Sequence, residues 1–323
     1  MNWITDFDTG CGTFSSGFED GRDYAVSYNY GLKEDNIVPY NNNHLKDFIL
    51  YDDNKYFSDF FLCTPHLGNR ISRRGRANFN IYELNHCLAL ISLNNPNTVL
   101  ISTLKNGFYS LNDSKLNSDI YYTVDGYPSQ DFVVATLSQC GYYVDRFVVD
   151  EANFGIPQHK EFVVYVAQKK DFDPLIKQIN KYRDNKMAKP IDFLKQFDKM
   201  NSVHVWNHIK DYQYSNVCSK IKPGSNAKVT KDISQVSGYY RMRPDVPCGS
   251  LHHDFYRVSS RGPSIHPVED RPLTILEGAY LSGIYMNLWE QNVDKKIAGD
   301  MIARAMAPTL ARKIKKVVVQ NLV

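Results

Sequence analysis

The chain has 323 residues, of which 43% are hydrophobic and 23% are charged, and its formal net charge is +3. This composition is typical of a soluble globular protein, and no apolar run approaches the length of a membrane span, which argues against a membrane protein. The net charge is too small to indicate a nucleic-acid partner by itself. The length is sufficient for one large and one small domain.

The first residues, MNWITDFD, do not combine a basic start with an apolar stretch. We therefore expect no secretory signal and a cytoplasmic protein, in the host cytoplasm if it is viral or in the nucleus if it is eukaryotic. The abundance of Asn, Lys and Tyr suggests an AT-rich genome such as that of a virus. The six cysteines are scattered without a CxxC pair, which argues against a zinc site or a disulfide framework and fits a reducing compartment.

The N-terminal residues predict a strand, a glycine-rich turn and a helix. Residues 3–7 form the strand, and Gly10, Gly12 and Gly17 surround the turn. This arrangement lets backbone N–H groups approach a nucleotide-like ligand. A second strand is predicted at residues 24–28, and the Asn-rich segment that follows, up to His44, is predicted to be a loop. Residues 47–50 are predicted to lie at the edge of a third strand.

Residues 59–75, DFFLCTPHLGNRISRRG, predict a short buried strand that ends in a loop. Pro65 and Gly68 end the strand. The loop lies at the carboxyl edge of the strand, where open α/β sheets carry out chemistry. Cys63 falls at the end of the strand, and we interpret it as a buried structural cysteine.

The rest of the chain alternates helices and strands. Helices are predicted at residues 81–91 and 133–140, and strands at 98–101, 143–149 and 161–167. Alternation of this kind predicts an α/β fold with a mostly parallel sheet covered on both faces. We expect a large domain at 1–168, a small domain at 169–270, and a C-terminal segment at 271–323 that completes the large domain.

Several stretches, in order, resemble the DNA cytosine-5 methyltransferases. They are the loop at 59–75, GYYVDRFVVDEANFGIPQHKEFVVYVA at 141–167, IHPVEDRPLTILEGAYLSG at 265–283, and the pair Gly299-Asp300. The resemblance implies a Rossmann-like fold of the S-adenosylmethionine-dependent methyltransferases, with a small inserted domain that is similar to a target-recognition domain.

The catalytic positions that the resemblance assigns carry other residues. The family's nucleophilic cysteine falls on His66, Leu67 or Gly68, depending on where one inserted residue is placed. The glutamate that holds the target cytosine falls on Ser102. The two arginines after the Pro-Gln pair fall on Lys160 and Phe162, so the resemblance assigns no confirmed catalytic residue.

The cofactor positions are also changed. Gly10 and Gly12 keep two glycines of the family's turn, but Asp8 replaces the phenylalanine that stacks on adenine, and Ser27 replaces the glutamate on the ribose. Asp47 keeps the carboxylate that accepts the adenine amino group. We therefore expect no bound cofactor, although the alternative of an active enzyme would require S-adenosylmethionine.

The leading hypothesis is an inactive homologue that binds double-stranded DNA or a partner protein. One alternative is an active DNA methyltransferase of unusual mechanism, or one completed by a second subunit. Another is a structural assembly subunit, which could be a homo-oligomer. None of these hypotheses involves a membrane.

Basic residues of the loop and of the second domain are the candidates for DNA contact, because a basic cleft suits phosphate binding. They are Arg70, Arg73, Arg74, Arg76, Lys160, Arg257 and Arg261. A mixture of aromatic and basic residues in the second domain also suits nucleic-acid contact. It comprises Tyr239, Tyr240, Arg241, Arg243, His252, His253, Tyr256 and Arg257. The spacing of His204 and His208 could suit a metal, but no further ligand completes a set, so no metal site is expected.

Overall fold

The structure is a computed structural model that describes most of the chain, with gaps. The described residues are 3–7, 24–28, 37–38, 60–65, 81–105, 123–124, 127–128, 130–195, 218–225, 239–256, 262–284 and 295–321.

A seven-stranded sheet forms the centre of the fold, in the order β3-β2-β1-β4-β5-β10-β8. Its strands are β1 (Trp3–Phe7), β2 (Tyr24–Tyr28), β3 (Ile37–Val38), β4 (Phe60–Cys63), β5 (Thr98–Leu104), β8 (Tyr143–Asp150) and β10 (Glu161–Gln168). The first five strands pair in parallel. The predicted third strand at 47–50 lies outside the described residues, and the structure instead places β3 within the segment that was predicted to be a loop.

Strand β10 is antiparallel to β5, with Phe162 opposite Leu104 and Val164 opposite Ser102. Every residue of β10 after Glu161 is buried, as expected for an apolar strand inside a sheet that is covered on both faces. The α/β fold predicted from the alternating pattern is therefore confirmed, with β10 antiparallel to the last of five parallel strands.

Two helices supply much of the core beside the sheet. Helix α1 (Ile81–Asn94) and helix α2 (Gln130–Gln139) bury apolar residues against it. Phe61, Leu84, Val133 and Tyr165 are among the buried residues of this cluster. The helical spacing in the sequence predicted both helices, because residues three and four apart share one face.

A disulfide joins Cys63, at the end of β4, to Cys87 in α1. Both residues are fully buried. The prediction of a buried cysteine at position 63 is confirmed, but the scattered spacing of the six cysteines argued against disulfides, and this expectation does not hold for Cys63 and Cys87. The reason is that 24 residues separate the partners, and only the packing of helix on strand brings them together.

The chain forms two compact units. The first comprises residues 1–149, 161–182 and 311–323, and the second comprises 150–160 and 183–310. The units divide the chain at other positions than the predicted domains, because residues 169–182 belong to the first unit and residues 150–160 and 271–310 to the second. Within the second unit, the ring of Phe255 packs so closely on Gly278 that a Cβ there would overlap it, a contact that no sequence signal marked.

Short elements complete the two units. The first unit also contains β6 (Thr123–Val124), β7 (Tyr127–Pro128), α3 (Ile176–Ile179) and the 3-10 helix Asn180–Tyr182. The second contains the 3-10 helix Glu151–Phe154, β9 (Gln158–His159), α4 (Pro190–Leu194), β11 (Tyr239–Arg241), β12 (Cys248–Gly249), β13 (Gly262–Ile265), α5 (Ile275–Leu281) and α6 (Lys295–Arg304). Helix α7 (Pro308–Gln320) begins in the second unit and lies mostly in the first. Among the described helices, none has the length and apolar character needed to cross a bilayer.

Candidate functional site

The carboxyl ends of β4 and β5 lie side by side in the first unit, since Cys63 is in register with Ile101. The Thr103 hydroxyl donates a hydrogen bond of 3.0 Å to the Pro65 carbonyl oxygen. This bond fixes the start of the loop that follows β4 to the end of β5. In open α/β sheets, ligands bind at the carboxyl ends of the parallel strands. This edge is therefore where a ligand is expected.

Ser102 precedes Thr103 on β5 and stands at the position of the family's glutamate. Its side chain is buried, and its Oγ has no hydrogen-bond partner among the residues that the structure describes. A serine hydroxyl ionises far above neutral pH and carries no charge. It can form a hydrogen bond, but it cannot protonate a ring nitrogen as a carboxylic acid can.

Cys63, at the end of β4, is not a free thiol. Cys63 is buried and joined to Cys87, so no thiolate exists there while the disulfide is intact. A disulfide sulfur cannot act as the nucleophile that covalent addition to a pyrimidine requires.

In the second unit, the segment 150–160 is shaped by its capping residues and by Gly155. The Asp150 carboxylate accepts a hydrogen bond from the Ala152 N–H at the start of the 3-10 helix. Gly155 ends the helix with φ of 85°, and a Cβ there would lie 2.8 Å from Asp184 Oδ2. Both features favour glycine at this position. The chain then continues into β9, which pairs with β12.

Lys160 lies inside the second unit rather than on a surface. Its side chain is 0% exposed, and its Nζ donates to the carbonyl oxygens of Ile302 at 3.2 Å and Ala305 at 2.9 Å. These carbonyls lie at the C-terminal end of α6, where cations are favoured. The expectation that Lys160 contacts DNA phosphates is therefore not supported, because its charge is used within the protein.

Glu151 is the counterpart of Lys160. Its Oε2 lies 3.8 Å from Lys160 Nζ, and its Oε1 accepts a hydrogen bond of 2.6 Å from the Ala307 N–H. Burial raises the pKa of Glu151 to about 7, although Lys160 and the Ala307 N–H act in the opposite direction. The pair ties the segment before β10 to the junction of α6 and α7.

Phe162, at the second arginine position, is also buried, within β10. It offers only an apolar ring that packs in the sheet. Neither of the two positions that carry arginines in the family therefore presents a cation to solvent in this chain.

A second buried ion pair lies in the stretch that resembles the family's return from the recognition domain. Arg271 donates two hydrogen bonds to the Glu277 carboxylate, at 2.8 and 2.7 Å. Glu277 and Thr274 also form a capping box at the start of α5. Burial lowers the pKa of the adjacent His266, and Arg271 acts in the same direction, although Glu277 opposes both effects.

Arg241 has a structural role as well. It is buried, and its guanidinium donates to five backbone carbonyls, those of Cys218, Ile221, His266, Val268 and Glu269. The interpretation of Arg241 as part of a nucleic-acid surface is therefore wrong. Arg243 is exposed and paired with Asp245 at 2.7 Å.

Most of the remaining predicted site residues lie outside the described residues. They are Gly10, Gly12, Asp47, His66, Arg70, Arg73, Arg74, Arg76, Arg257 and Arg261. For Ser27 the structure gives the strand, β2, but not the side chain. His204 and His208 also lie outside the described part of the chain.

Two functional positions were missed at the level of sequence. The sequence assigned no role to Thr103 or to Glu151. A signal for Glu151 was present, because it is a carboxylate nine residues before Lys160 within the stretch that resembles the family, which makes it a candidate partner. For Thr103 there was no signal, because its bond depends on which carbonyl lies opposite.

Solved structures with the same fold are methyltransferases. S. pombe Dnmt2 methyltransferase is 12% identical to this chain with a TM-score of 0.62, over 99% of this chain and 98% of its own. The Entamoeba histolytica methyltransferase EhMeth is 11% identical with a TM-score of 0.62, over 100% of this chain and 99% of its own. A prophage-encoded protein of E. coli, named as a candidate DNA modification methyltransferase, is 14% identical with a TM-score of 0.60, over 100% and 99%.

These similarities show the Rossmann-like fold of the S-adenosylmethionine-dependent methyltransferases. A search of the curated proteins finds no match. The family model for the C-5 cytosine-specific DNA methylases matches residues 126–320, which is more than half of the chain. The resemblance deduced from the residues is thereby confirmed, and this chain belongs to the C-5 cytosine-specific DNA methylase family.

Proposed function

We propose that this chain is a catalytically inactive member of its family that acts by binding double-stranded DNA. The observation that carries the proposal is the state of Cys63, which is buried and joined to Cys87 beside the expected catalytic edge. No other cysteine lies between positions 59 and 75. The family's reaction begins with attack by a thiolate, and residues 59–75 offer none while the disulfide is intact.

The replacement of the glutamate by Ser102 supports the same proposal. Addition to the cytosine ring needs a group that donates a proton to the ring nitrogen as the nucleophile attacks. The buried Ser102 hydroxyl has no charge and no acidic proton near neutral pH. A methyltransferase of unusual mechanism would have to supply both the nucleophile and the acid from other residues, or from a second subunit.

The cofactor positions do not suit S-adenosylmethionine, the cofactor of this family. Asp8 in place of an aromatic ring removes stacking on adenine that contributes about 1 kcal/mol, and it adds a carboxylate beside the purine. Ser27 in place of a glutamate removes the acceptor for the ribose hydroxyls. We propose that the chain does not use this cofactor.

The first test is covalent trapping. We expect no denaturant-stable complex between the protein and duplex DNA containing 5-fluorocytosine, with S-adenosylmethionine present. The reaction is run both with and without a thiol reductant, because reduction would release the Cys63 thiol. Denaturing gel electrophoresis gives the result.

The control variant is Cys63→Ala. An adduct that forms under reducing conditions and disappears in this variant would overturn the proposal, since it would identify Cys63 as a displaced nucleophile. An adduct that persists in the variant would also overturn it and would assign the nucleophile elsewhere.

DNA binding is assigned to the basic residues of the loop after β4 and to those near the end of the second domain. With Lys160 excluded by its burial, the candidates are Arg70, Arg73, Arg74, Arg76, Arg257 and Arg261. Arginine suits such contacts, because its guanidinium pairs with phosphate oxygens in a bidentate manner. Extrusion of a base is not expected, since Ser102 and Phe162 offer none of the charged contacts that would compensate for its unstacking.

The second test measures the salt dependence of duplex binding. Each lost phosphate contact reduces the slope of log affinity against log salt by about 0.9, so Arg73→Ala/Arg74→Ala should reduce it by about 1.8. Filter binding across a salt series measures the slope. Arg146→Ala is the matched control, because Arg146 pairs with Asp131 at 2.6 Å on the first unit and is not a candidate contact.

Absence of binding at low salt would contradict the DNA-binding proposal. An unchanged slope in the double variant would remove these two arginines from the contact surface. The first outcome would favour a role in binding a partner protein or in a structural assembly.

A further inference from the structure

The turn between β12 and β13 carries three potential metal ligands in consecutive positions. The ligand atoms of His252, His253 and Asp254 all lie within 4.8 Å of one another. His252 Nδ1 is 2.6 Å from Asp254 Oδ1, and the two imidazole rings have centroids 3.9 Å apart. The side chains of His252 and Asp254 are 17% and 25% exposed. The cluster is therefore sheltered but accessible to an ion.

The turn is held in place from both sides. Phe255 is almost fully buried, and its ring occupies the space that a Cβ on Gly278 of α5 would fill. The His253 carbonyl oxygen and the Tyr256 ring likewise occupy the space beside Gly299 of α6. The Phe255 N–H also donates a hydrogen bond of 2.9 Å to the His252 carbonyl. A turn that is fixed in this way keeps its three ligands together without an ion, which lowers the cost of binding one.

The donor set has a definite chemical preference. Imidazole nitrogen suits zinc, copper, nickel and iron, whereas magnesium and calcium take oxygen ligands. Two imidazoles and one carboxylate make three protein ligands, which leaves a position for water. Ligand atoms lie about 2.0–2.2 Å from zinc in a tetrahedral arrangement, so two of them are about 3.3–3.6 Å apart. Binding would therefore require the widest separation to close by up to about 1.5 Å from its 4.8 Å limit. His252 Nδ1 and Asp254 Oδ1, now 2.6 Å apart, would have to separate and exchange their contact for bonds to the ion.

We propose that His252, His253 and Asp254 bind a divalent transition-metal ion, of the class of Zn²⁺ or Co²⁺. The ion would fix the turn between β12 and β13 against helices α5 and α6. This proposal does not depend on whether the chain binds DNA or methylates it. The sequence did not indicate the site, because the two histidines belong to a mixture of aromatic and basic residues that suited nucleic-acid contact equally well.

The test uses the full chain without an affinity tag, after treatment with a chelator. Co²⁺ is titrated first, with its visible absorption as the signal, and Zn²⁺ is then titrated by calorimetry. We expect one equivalent to bind. Binding should weaken by at least roughly tenfold in His253→Ala and in Asp254→Asn, the least that loss of even a supporting residue costs a metal site.

Two control variants assign the site. His159→Ala removes another His–Asp pair of the same unit, in which His159 Nδ1 lies 2.8 Å from Asp150 Oδ2. Metal binding should be unchanged in this variant. In His204→Ala/His208→Ala, the pair with metal-ligand spacing is removed, and binding should again be unchanged. Circular dichroism of each variant shows whether it folds. If His253→Ala does not fold, Asp254→Asn still tests the site, because it preserves the shape of the side chain.

No binding by the wild-type protein would overturn the proposal. Binding that is unaffected by both His253→Ala and Asp254→Asn would overturn it as well, as would binding that is lost only in His204→Ala/His208→Ala.

Discussion

Lys160→Met is expected to lower the free energy of unfolding by about 3–5 kcal/mol, because it leaves a buried carboxylate without its cation. Glu151 and Lys160 both have side chains that are 0% exposed, and their charged atoms lie 3.8 Å apart. The variant also leaves the Ile302 and Ala305 carbonyls without the ammonium that now donates to them. The midpoint of urea unfolding, followed by circular dichroism, measures the change.

The matched control is the double variant Lys160→Met/Glu151→Gln. The amide oxygen of Gln can still accept the hydrogen bond from the Ala307 N–H, and no charge remains to be buried. Replacing a buried ion pair as a whole is often close to neutral, whereas removing one partner is costly. We therefore expect the double variant to be much more stable than Lys160→Met. Equal loss in the two variants would show that the ammonium's bonds to the carbonyls dominate, and not the pair.

The same pair gives the protein a pH dependence of known sign. The pKa of Glu151 in the folded state is raised to about 7 from its ordinary value of 4.5, with burial as the main cause. A carboxyl whose pKa is raised on folding contributes stability that is complete below the lower value and is lost as pH rises through the higher one. In Lys160→Met the loss should continue to higher pH than in the wild type, because the folded-state pKa of Glu151 rises further without the cation that favours the ionised carboxylate.

Gly299→Ala is expected to destabilise the protein by about 3 kcal/mol, the upper part of the usual range for overpacking. In an unconstrained helix, the same change would stabilise by about 1 kcal/mol, so the predicted sign is opposite to that of helix propensity. A Cβ at position 299 would overlap the His253 carbonyl oxygen and lie 2.9 Å from the Tyr256 ring. The first neighbour is backbone, which cannot rotate away as a side chain can.

Asp300→Ala is the neighbouring control in the same helix. It removes an i,i+4 pair with Arg304 at 2.7 Å, with the carboxylate 40% exposed, so a loss of no more than about 0.5 kcal/mol is expected. Thermal unfolding of the two variants side by side separates the effects. A Gly299→Ala protein as stable as the wild type would mean that the turn at 252–256 moves aside at little cost, which would also weaken the argument for a rigid turn at the proposed metal site.

The predictable part of the candidate site was its location. Residues 60–63 are apolar and are followed by a proline, so the sequence predicted a buried strand that ends in a loop, and β4 confirms it. The site positions came from ordered motifs, which place Ser102 on β5 and Lys160 just before β10. Motif order is preserved along the chain and can be read without knowing what packs against each residue.

The direction in which Lys160 points could not be predicted in this way. A lysine that replaces a DNA-facing arginine is expected to keep its surface role unless a buried partner is present. The partners here are Glu151 and two carbonyls that lie 142 and 145 residues away in the chain. Arg241 was misread for the same reason, since its five acceptors come from 20 to 28 residues away.

The sequence by itself therefore determined the α/β fold and the family, because hydrophobic periodicity and motif order are local properties of the chain. It also determined that no cysteine follows Pro65 in the loop. Only the tertiary structure decided that Cys63 is joined to Cys87 and that Lys160 is internal. The physical reason is that each of these depends on which group lies opposite a side chain in space, and the partners come from elements whose separation in sequence carries no signal of their contact.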